Sequence, residues 1–208
     1  MFITYVAAGF KDPGGAWAMW VISLIGFGIL ALAAERVYYL YVVCGNTAGL
    51  MGGLAKFLKS GDFDKAEKFA AGKKKMPLAK AVVAILSNRA KGTKAVQKGV
   101  DEIFLTEVPK IGRNIPLINI MANISTMLGL MGTIFGLMMA FDAVANAPAA
   151  QRATELAKGI SVAMSTTLFG LVIAVPGILI QGILAAKSDK VVEELDEKTA
   201  KLINLVEE

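Results

Sequence analysis

The chain has 208 residues, of which 55% are hydrophobic and 19% are charged, and its formal net charge is +5. It contains no histidine and one cysteine, Cys44, which excludes histidine-based catalysis, histidine metal sites and an intrachain disulfide. No phosphate-binding or dinucleotide-binding glycine motif occurs. We therefore expect no enzyme, no metal site and no cofactor. The mean hydropathy of +0.58 favours a membrane protein over a soluble domain.

The first apolar segment lies close to the N-terminus. Residues 13–34 carry no charge, and the apolar pattern continues past Glu35 and Arg36 to Val43. The hydrocarbon core of a bilayer is about 30 Å thick and is spanned by about 20 apolar residues in a helix. We therefore predict a first transmembrane helix over residues 17–43.

The next segment, residues 44–114, is polar and is predicted to be helical. Its apolar residues recur at spacings of three and four between charges, most clearly over residues 77–113. Gly72 and Pro77 flank a run of lysines, Lys73–Lys75, which predicts a break between two helices. The lysines are interpreted either as a solvated face or as a contact with lipid headgroups.

Two charge-free runs of 28 residues follow, Asn114–Phe141 and Gly159–Ala186. Each run is long enough to span a bilayer with some tilt. We therefore predict a second transmembrane helix over residues 115–141 and a third over residues 160–186. The predicted fold class is an all-α integral membrane protein with three transmembrane helices and extended cytoplasmic helices.

The C-terminal segment, residues 187–208, is predicted to continue the third helix as an amphipathic helix. Its apolar residues recur at helical spacing, namely Val191, Leu195, Leu202 and Leu205. An apolar stripe of this kind needs a surface to cover it. A second copy of the chain is one candidate for that surface.

The charge distribution predicts the orientation in the membrane. Residues 45–113 carry 14 Lys and Arg against 6 Asp and Glu, a net charge of +8. By the positive-inside rule, residues 44–114 and 187–208 are cytoplasmic, and residues 1–16 and 142–159 lie on the periplasmic side. Because no aromatic residues interleave with the basic ones, we expect the positive charge to serve topology and anionic lipid contact, and we expect no nucleic acid.

The stretch GLMGTIFGLMMAF, residues 129–141, places small residues and a hydroxyl in an apolar run. At helical spacing the second transmembrane helix has a stripe of small residues, namely Thr126, Gly129, Thr133, Gly136 and Ala140. The third has a similar stripe, namely Ala163, Thr167, Gly170 and Ala174. Small stripes mark faces where membrane helices approach closely, so helix packing alone is one explanation.

A shared depth of two hydroxyls favours a functional explanation. Eight residues separate Thr133 from Asp142, and eight separate Thr167 from Lys158. At about 1.5 Å per residue, both threonines lie roughly 12–13 Å from the outer end of their helices. Two hydroxyls at one depth predict a polar spot that can hydrate or coordinate a small cation. Neither helix carries an acidic residue there, so the titrating group is expected from a partner helix.

The sequence resembles the MotA/TolQ/ExbB proton-channel family. The segments MANISTMLGLMGTIFGLMMAF (121–141) and LAKGISVAMSTTLFGLVIAVPGIL (156–179) are similar to its two long membrane motifs, and ERVYYL (35–40) is similar to its short motif at the inner end of the first helix. The resemblance covers nearly the whole chain. The size of the chain places it nearer to ExbB and TolQ than to the four-helix flagellar stator subunits.

The resemblance implies an ion-channel subunit of a motor in the bacterial inner membrane. It implies a homopentamer around a dimer of a single-helix partner of the ExbD/TolR type, whose membrane aspartate carries the ion and faces Thr133 and Thr167. Proton-motive force would then be coupled to mechanical work in the cell envelope. The resemblance also implies that small residues allow close approach by the partner or a neighbouring helix, namely Gly129, Gly132, Gly136, Ala163, Gly170 and Ala174. Pro176 matches the family proline near the inner part of the last helix, and a kink in that helix is the alternative, purely structural role for it.

Two departures from the family pattern bear on the ion. Thr126 stands where the family has a proline, and Val162 stands where ExbB and TolQ have a glutamate. The chain instead carries the adjacent hydroxyls Ser165, Thr166 and Thr167, which would suit either a proton path or dehydrated sodium. Successive residues of a helix are turned by about 100°, so the three are not expected to face one ion, and we favour H⁺ over Na⁺.

A different class of function remains open from the residues alone. The chain would be a non-conducting membrane scaffold if its small stripes only pack helices and its cytoplasmic helices bind a soluble partner. A neighbouring gene for a small protein with one membrane helix and an aspartate would favour the motor.

Overall fold

The computed structural model describes residues 10, 15–45 and 47–207. Within these residues the chain is helical and has no strand, which confirms the all-α fold class. Three of the described helical stretches are long and apolar enough to cross a membrane, as expected. Most of the predicted N-terminal segment, residues 1–16, lies outside the described residues.

The helices follow one another with short connections. Helix α1 spans Ala16–Val37 and continues into a π-helical segment, Tyr38–Val43. Four shorter helices follow, namely α2 (Thr47–Lys59), α3 (Phe63–Ala71), α4 (Pro77–Asn88) and α5 (Thr93–Ile111). The last two helices are long, namely α6 (Ile115–Asn146) and α7 (Arg152–Glu207).

The chain divides into two compact units. The membrane unit consists of residues 1–33 and 115–182, and it holds most of α1, all of α6 and the first part of α7. The peripheral unit consists of residues 34–114 and 183–208, and it holds the π-helical segment, α2 to α5 and the last part of α7.

The membrane unit buries small residues and exposes large ones. On α6 the buried positions recur every three or four residues, namely Ala122, Ser125, Gly129, Gly132, Gly136 and Ala140. Large side chains on the same helix are exposed, including Met127 (69%), Leu130 (59%) and Met138 (64%). This is the reverse of a water-soluble core. It is the arrangement expected where lipid solvates the large side chains and helices associate through small ones.

The peripheral unit has a core of large apolar side chains. Leu50 and Leu54 of α2 and Ile85 of α4 are at most 1% exposed. Val191 and Leu195 of α7 are also buried, and with Cys44, Met76 and Leu78 they line one small cavity. The apolar stripe of residues 187–208 is therefore covered by this chain's own peripheral helices, so a second copy is not needed for Val191, Leu195 and Leu202, whereas Leu205 is 58% exposed.

Two of the connections between the peripheral helices bear on the predicted helix break. The predicted break is confirmed, because α3 ends at Ala71 and α4 begins at Pro77. The predicted helical stretch 77–113 contains a break that the spacing did not reveal. Gly92 adopts φ +88°, a conformation that favours glycine, and α5 begins at the next residue.

Buried charges of the peripheral unit are all paired or hydrogen-bonded in the described residues. Arg36 is 5% exposed; its guanidinium binds the Glu35 carboxylate and donates to the carbonyl of Lys110 at 3.0 Å, near the C-terminus of α5. Glu107 is 3% exposed and accepts hydrogen bonds from Lys80 (3.0 Å) and Lys110 (2.6 Å). Burial raises the pKa of Glu107, but the two lysines outweigh it and hold this pKa below the ordinary value of 4.5.

Candidate functional site

A groove of about 580 Å³ lies between α6 and α7 in the membrane unit. Four of the residues that line it carry hydroxyls and three are apolar, namely Thr133, Ser161, Ser165 and Thr167 with Met164, Leu168 and Leu171. None of these side chains is ionisable. The groove therefore offers oxygen atoms within an apolar wall, at the place where the sequence predicts a polar spot.

The two threonines predicted to share a depth line this one groove. Thr133 donates its hydroxyl proton to the carbonyl of Leu130 at 2.6 Å, and Thr167 donates across to the carbonyl of Gly129 at 3.2 Å. Each hydroxyl has one proton to donate and two lone pairs that accept. Because the proton of each threonine is used by a backbone carbonyl, the lone pairs remain for a donor or a cation.

Ser165 and Thr166 have different surroundings from each other. Ser165 is 5% exposed, lines the groove, and donates to the carbonyl of Ser161 at 2.8 Å. Ser165 and Thr167 both line this groove. Thr166 is fully buried against α6 and donates to the carbonyl of Ala163 at 2.7 Å. The structure does not bring Thr166 to the groove.

The glycines of α6 make close contact with α7 of the same chain. A Cβ built on Gly129 would lie 3.1 Å from the Thr167 Cα, and one built on Gly132 would lie 2.9 Å from the Thr166 Cβ. A Cβ on Gly136 would lie 3.1 Å from the Ala163 Cβ. These three glycines pack on α7 within the chain, which is the helix packing that a stripe of small residues predicts.

The small residues of α7 complete the same contact. A Cβ on Gly170 would lie 2.7 Å from the carbonyl oxygen of Ser125, so the two backbones are almost in contact. Ala163 and Ala174 are 2% and 1% exposed. Pro176 lies within α7 and is exposed, and it lines a second, apolar groove with Phe27 of α1.

The observed stripe on α6 is turned by one residue from the predicted one. Thr126 and Thr133 were expected in the stripe, but both are only half-buried. Ser125 and Gly132 take their places and are buried. Thr133, at the edge of the contact, has its hydroxyl beside the groove, whereas the neighbouring Gly132 allows the two backbones to approach.

Three residues of the contact were missed by the sequence reasoning. Ser125 is fully buried, Ser161 lines the groove, and a Cβ on Gly159 would collide with the Ala140 Cβ. Ser125 lies three residues after Ala122 and four residues before Gly129. This helical spacing was a signal in the sequence. Ser161 precedes Ser165 by four residues and so shares its helix face.

Comparison with known proteins agrees with this architecture. The chain matches the MotA/TolQ/ExbB proton channel family over residues 71–197, which is more than half of its length. It is 29% identical to biopolymer transport protein exbB1 of Vibrio cholerae over 198 residues, covering 91% of this chain and 82% of that protein. The chain belongs to the MotA/TolQ/ExbB proton channel family, and it is an integral membrane protein.

Two other relatives are described as ExbB-like. The chain is 24% identical over 185 residues to an ExbB homologue of biopolymer transport from Methanothermobacter thermautotrophicus, covering 88% of this chain and 64% of that protein. It is 27% identical over 164 residues to an ExbB-like protein of Synechocystis, covering 76% of each. The chain thus spans less than two thirds of the length of the archaeal relative.

Proposed function

We propose that this chain is the multi-helix subunit of a proton channel that couples proton-motive force to work in the cell envelope. The observation that carries the proposal is the groove between α6 and α7, in which the hydroxyls of Thr133 and Thr167 have their protons bound to carbonyls and their lone pairs available. Such a groove accepts a hydrogen bond from a protonated acid or from water. The proposal involves ion transfer and no covalent catalysis.

The titrating group of this channel is supplied by a partner. No lining residue of the groove is ionisable, and position 162, beside the groove, is a valine. A proton that crosses a bilayer by way of a protein needs a group that binds and releases it. We propose a single-helix partner of the ExbD/TolR type whose membrane carboxylate lies against Thr133 and Thr167. When this carboxyl group is protonated, it donates a hydrogen bond to the threonine hydroxyls. When it is ionised, it must accept hydrogen bonds from water instead.

The assembly and its placement follow from the same proposal. We propose a homopentamer around a dimer of the partner, in the inner membrane of a bacterium. Residues 45–113 carry a net charge of +8, which supports a cytoplasmic peripheral unit and C-terminus and a periplasmic loop over residues 142–159. A neighbouring gene for a small protein with one membrane helix and a carboxylate is the partner to be tested.

Cysteine crosslinking tests whether the partner helix occupies the groove. Met164 lines the groove and is 68% exposed, whereas Leu179 lies on the same helix, is 63% exposed and is outside the groove. Cys44 is first replaced by serine, and a single cysteine is placed on the partner beside its carboxylate. We expect Met164→Cys to form the disulfide and Leu179→Cys to form little. Crosslinking at residue 179 alone would rule out the groove as the contact.

A sodium-driven form of the same motor is the second candidate. Ser165 and Ser161 line the groove together with the two threonines, and sodium needs several oxygens around it at once. Replacing sodium by potassium in the assay medium, with the pH gradient intact, separates the two ions. Full activity in potassium supports H⁺, and loss of activity would assign the channel to sodium. Normal envelope function with a blocked groove would instead favour a non-conducting scaffold.

A further inference from the structure

A third groove, of about 510 Å³, lies in the peripheral unit at the end of the first transmembrane segment. Its lining combines two kinds of residue, namely Tyr38, Val42 and Val43 on the π-helical segment with Ala71, Gly72, Lys73, Lys74, Lys75 and Met76 from the α3–α4 connection. The channel described above uses none of these residues. The groove joins an apolar wall to three consecutive positive charges.

The apolar wall is expected to lie at the surface of the bilayer. The π-helical segment Tyr38–Val43 follows α1 directly and forms the last residues of the first apolar span. Tyr38 is 63% exposed and Val42 is 59% exposed, so large side chains face outward where the span ends. Tyrosine is enriched at this level of a membrane because its ring is apolar and its hydroxyl is polar.

The lysines form the polar side of the groove. Lys74 and Lys75 are exposed, and Lys73 is half-buried with its ammonium group 5.1 Å from the centre of the Phe69 ring. Among the described residues, no carboxylate lies within ion-pair distance of any of the three. Their charge is therefore not neutralised within the described chain. Lys187 adds a further positive charge beside the π-helical segment, because its ammonium group lies 5.2 Å from the ring centre of Tyr41.

We propose that this groove binds the headgroup of an anionic phospholipid from the leaflet that borders the peripheral unit. The phosphate would lie among Lys73, Lys74 and Lys75, and the upper part of the acyl chains would lie against Tyr38 and Val42. A soluble anion would use the lysines alone and would leave the apolar wall unexplained. The lipid uses both halves of the groove, and this binding does not depend on which ion the channel carries.

Lipid counting on the purified full-length chain tests the proposal. Native mass spectrometry in non-ionic detergent counts bound dioleoyl phosphatidylglycerol, with dioleoyl phosphatidylcholine as the uncharged comparison. The variant Lys73→Gln/Lys74→Gln/Lys75→Gln removes the positive side. The matched control Lys91→Gln/Lys94→Gln/Lys98→Gln removes the same charge from exposed lysines that do not line the groove.

We expect the groove variant to bind phosphatidylglycerol at least about tenfold more weakly, because it removes the three positive charges that attract the phosphate. The control variant should keep most of its binding. The variant Lys73→Arg/Lys74→Arg/Lys75→Arg should also keep it, and Val42→Asp should lose it, since a carboxylate at the apolar wall repels the phosphate.

Three results would overturn the proposal. Equal losses in the two glutamine variants would mean general attraction to positive charge rather than a site. Equal binding of phosphatidylcholine would mean that the lysines select nothing. Full displacement of the lipid by inorganic phosphate would assign the groove to a soluble anion. Circular dichroism of each variant checks folding, and the arginine variant gives a second answer if the glutamine variant unfolds.

Discussion

The two units of this protein are stabilised by opposite means. In the membrane unit, glycine, alanine and serine bring two backbones together, and hydroxyls donate to carbonyls of the same or the facing helix. In the peripheral unit, leucine and isoleucine fill a core, and lysine and arginine pair with buried partners. The difference teaches that the solvent decides the packing. Water drives large apolar side chains inward, whereas lipid solvates them and leaves close backbone contact as the means of association.

Truncating a leucine should have the largest effect, and only in one unit. Leu86 of α4 is 3% exposed, and Leu130 of α6 is 59% exposed. We expect Leu86→Ala to destabilise the peripheral unit by about 2–5 kcal/mol, because it leaves a cavity. Leu130→Ala should change stability by less than about 0.5 kcal/mol. Amide hydrogen exchange in α4 and in α6 measures the two effects separately, and equal losses would contradict the comparison.

Removing the buried carboxylate of the peripheral unit should have the second-largest effect on stability. Glu107→Gln keeps an amide oxygen that can accept from Lys80 and Lys110, but it removes the negative charge that balances these two ammonium groups. Glu102→Gln on the same helix is the exposed control. We expect a loss of roughly 2 kcal/mol for Glu107→Gln and almost none for Glu102→Gln.

The acid dependence gives this prediction a sign. The two lysines hold the pKa of Glu107 below its ordinary value of 4.5 in the folded chain. Its stabilising contribution is therefore complete above pH 4.5 and is lost as the pH falls through the lower folded pKa. The protection factor of the α5 amides, which corrects for slower intrinsic exchange in acid, should fall on acidification in the wild type and fall less in Glu107→Gln. An unchanged acid response in the variant would mean that another group is responsible.

Adding one methyl group should have a smaller effect, and it should act in the membrane unit. A Cβ on Gly170 would lie 2.7 Å from a backbone oxygen, whereas a Cβ on Gly182 of the same helix has nothing within 4 Å. Overpacking costs about 1–3 kcal/mol, and alanine recovers up to about 1 kcal/mol of helix propensity. We expect Gly170→Ala to lower the thermal unfolding midpoint and Gly182→Ala to raise it slightly or leave it unchanged. The reverse order would mean that α6 and α7 are not in close contact.

The parts of the fold that were predictable are those where the solvent leaves a mark in the sequence. Charge-free runs of 28 residues revealed the membrane helices, and the spacing of Val191, Leu195 and Leu202 revealed an apolar face. The break at Gly92 was not visible, because apolar residues keep a helical spacing on both sides of it. The surface that covers Val191 was also not visible, since a stripe does not identify what packs on it.

The groove was predictable in position but not in register. Gly129, Gly136 and Ala140 fit two neighbouring stripes equally well, one through Thr133 and the other through Gly132. Only the facing helix decides between them, because Thr166 fills the space beside Gly132. Thr133 and Thr167 still line one groove, since the depth of a residue in the membrane depends on its number and not on the rotation of its helix.

Proton flux through the reconstituted complex tests the central claim, that the α6–α7 groove is the proton path. Thr133→Val is compared with Thr126→Val, because both threonines are half-buried on α6 and bonded to their own helix, but only Thr133 lines the groove. A pH-sensitive dye inside vesicles that hold the chain and its partner reports the flux. We expect a loss of roughly two- to tenfold for Thr133→Val, since the lost hydrogen bond joins neutral groups and is worth about 0.5–1.5 kcal/mol, and nearly normal flux for Thr126→Val. Equal flux in the two variants at equal abundance would contradict the account.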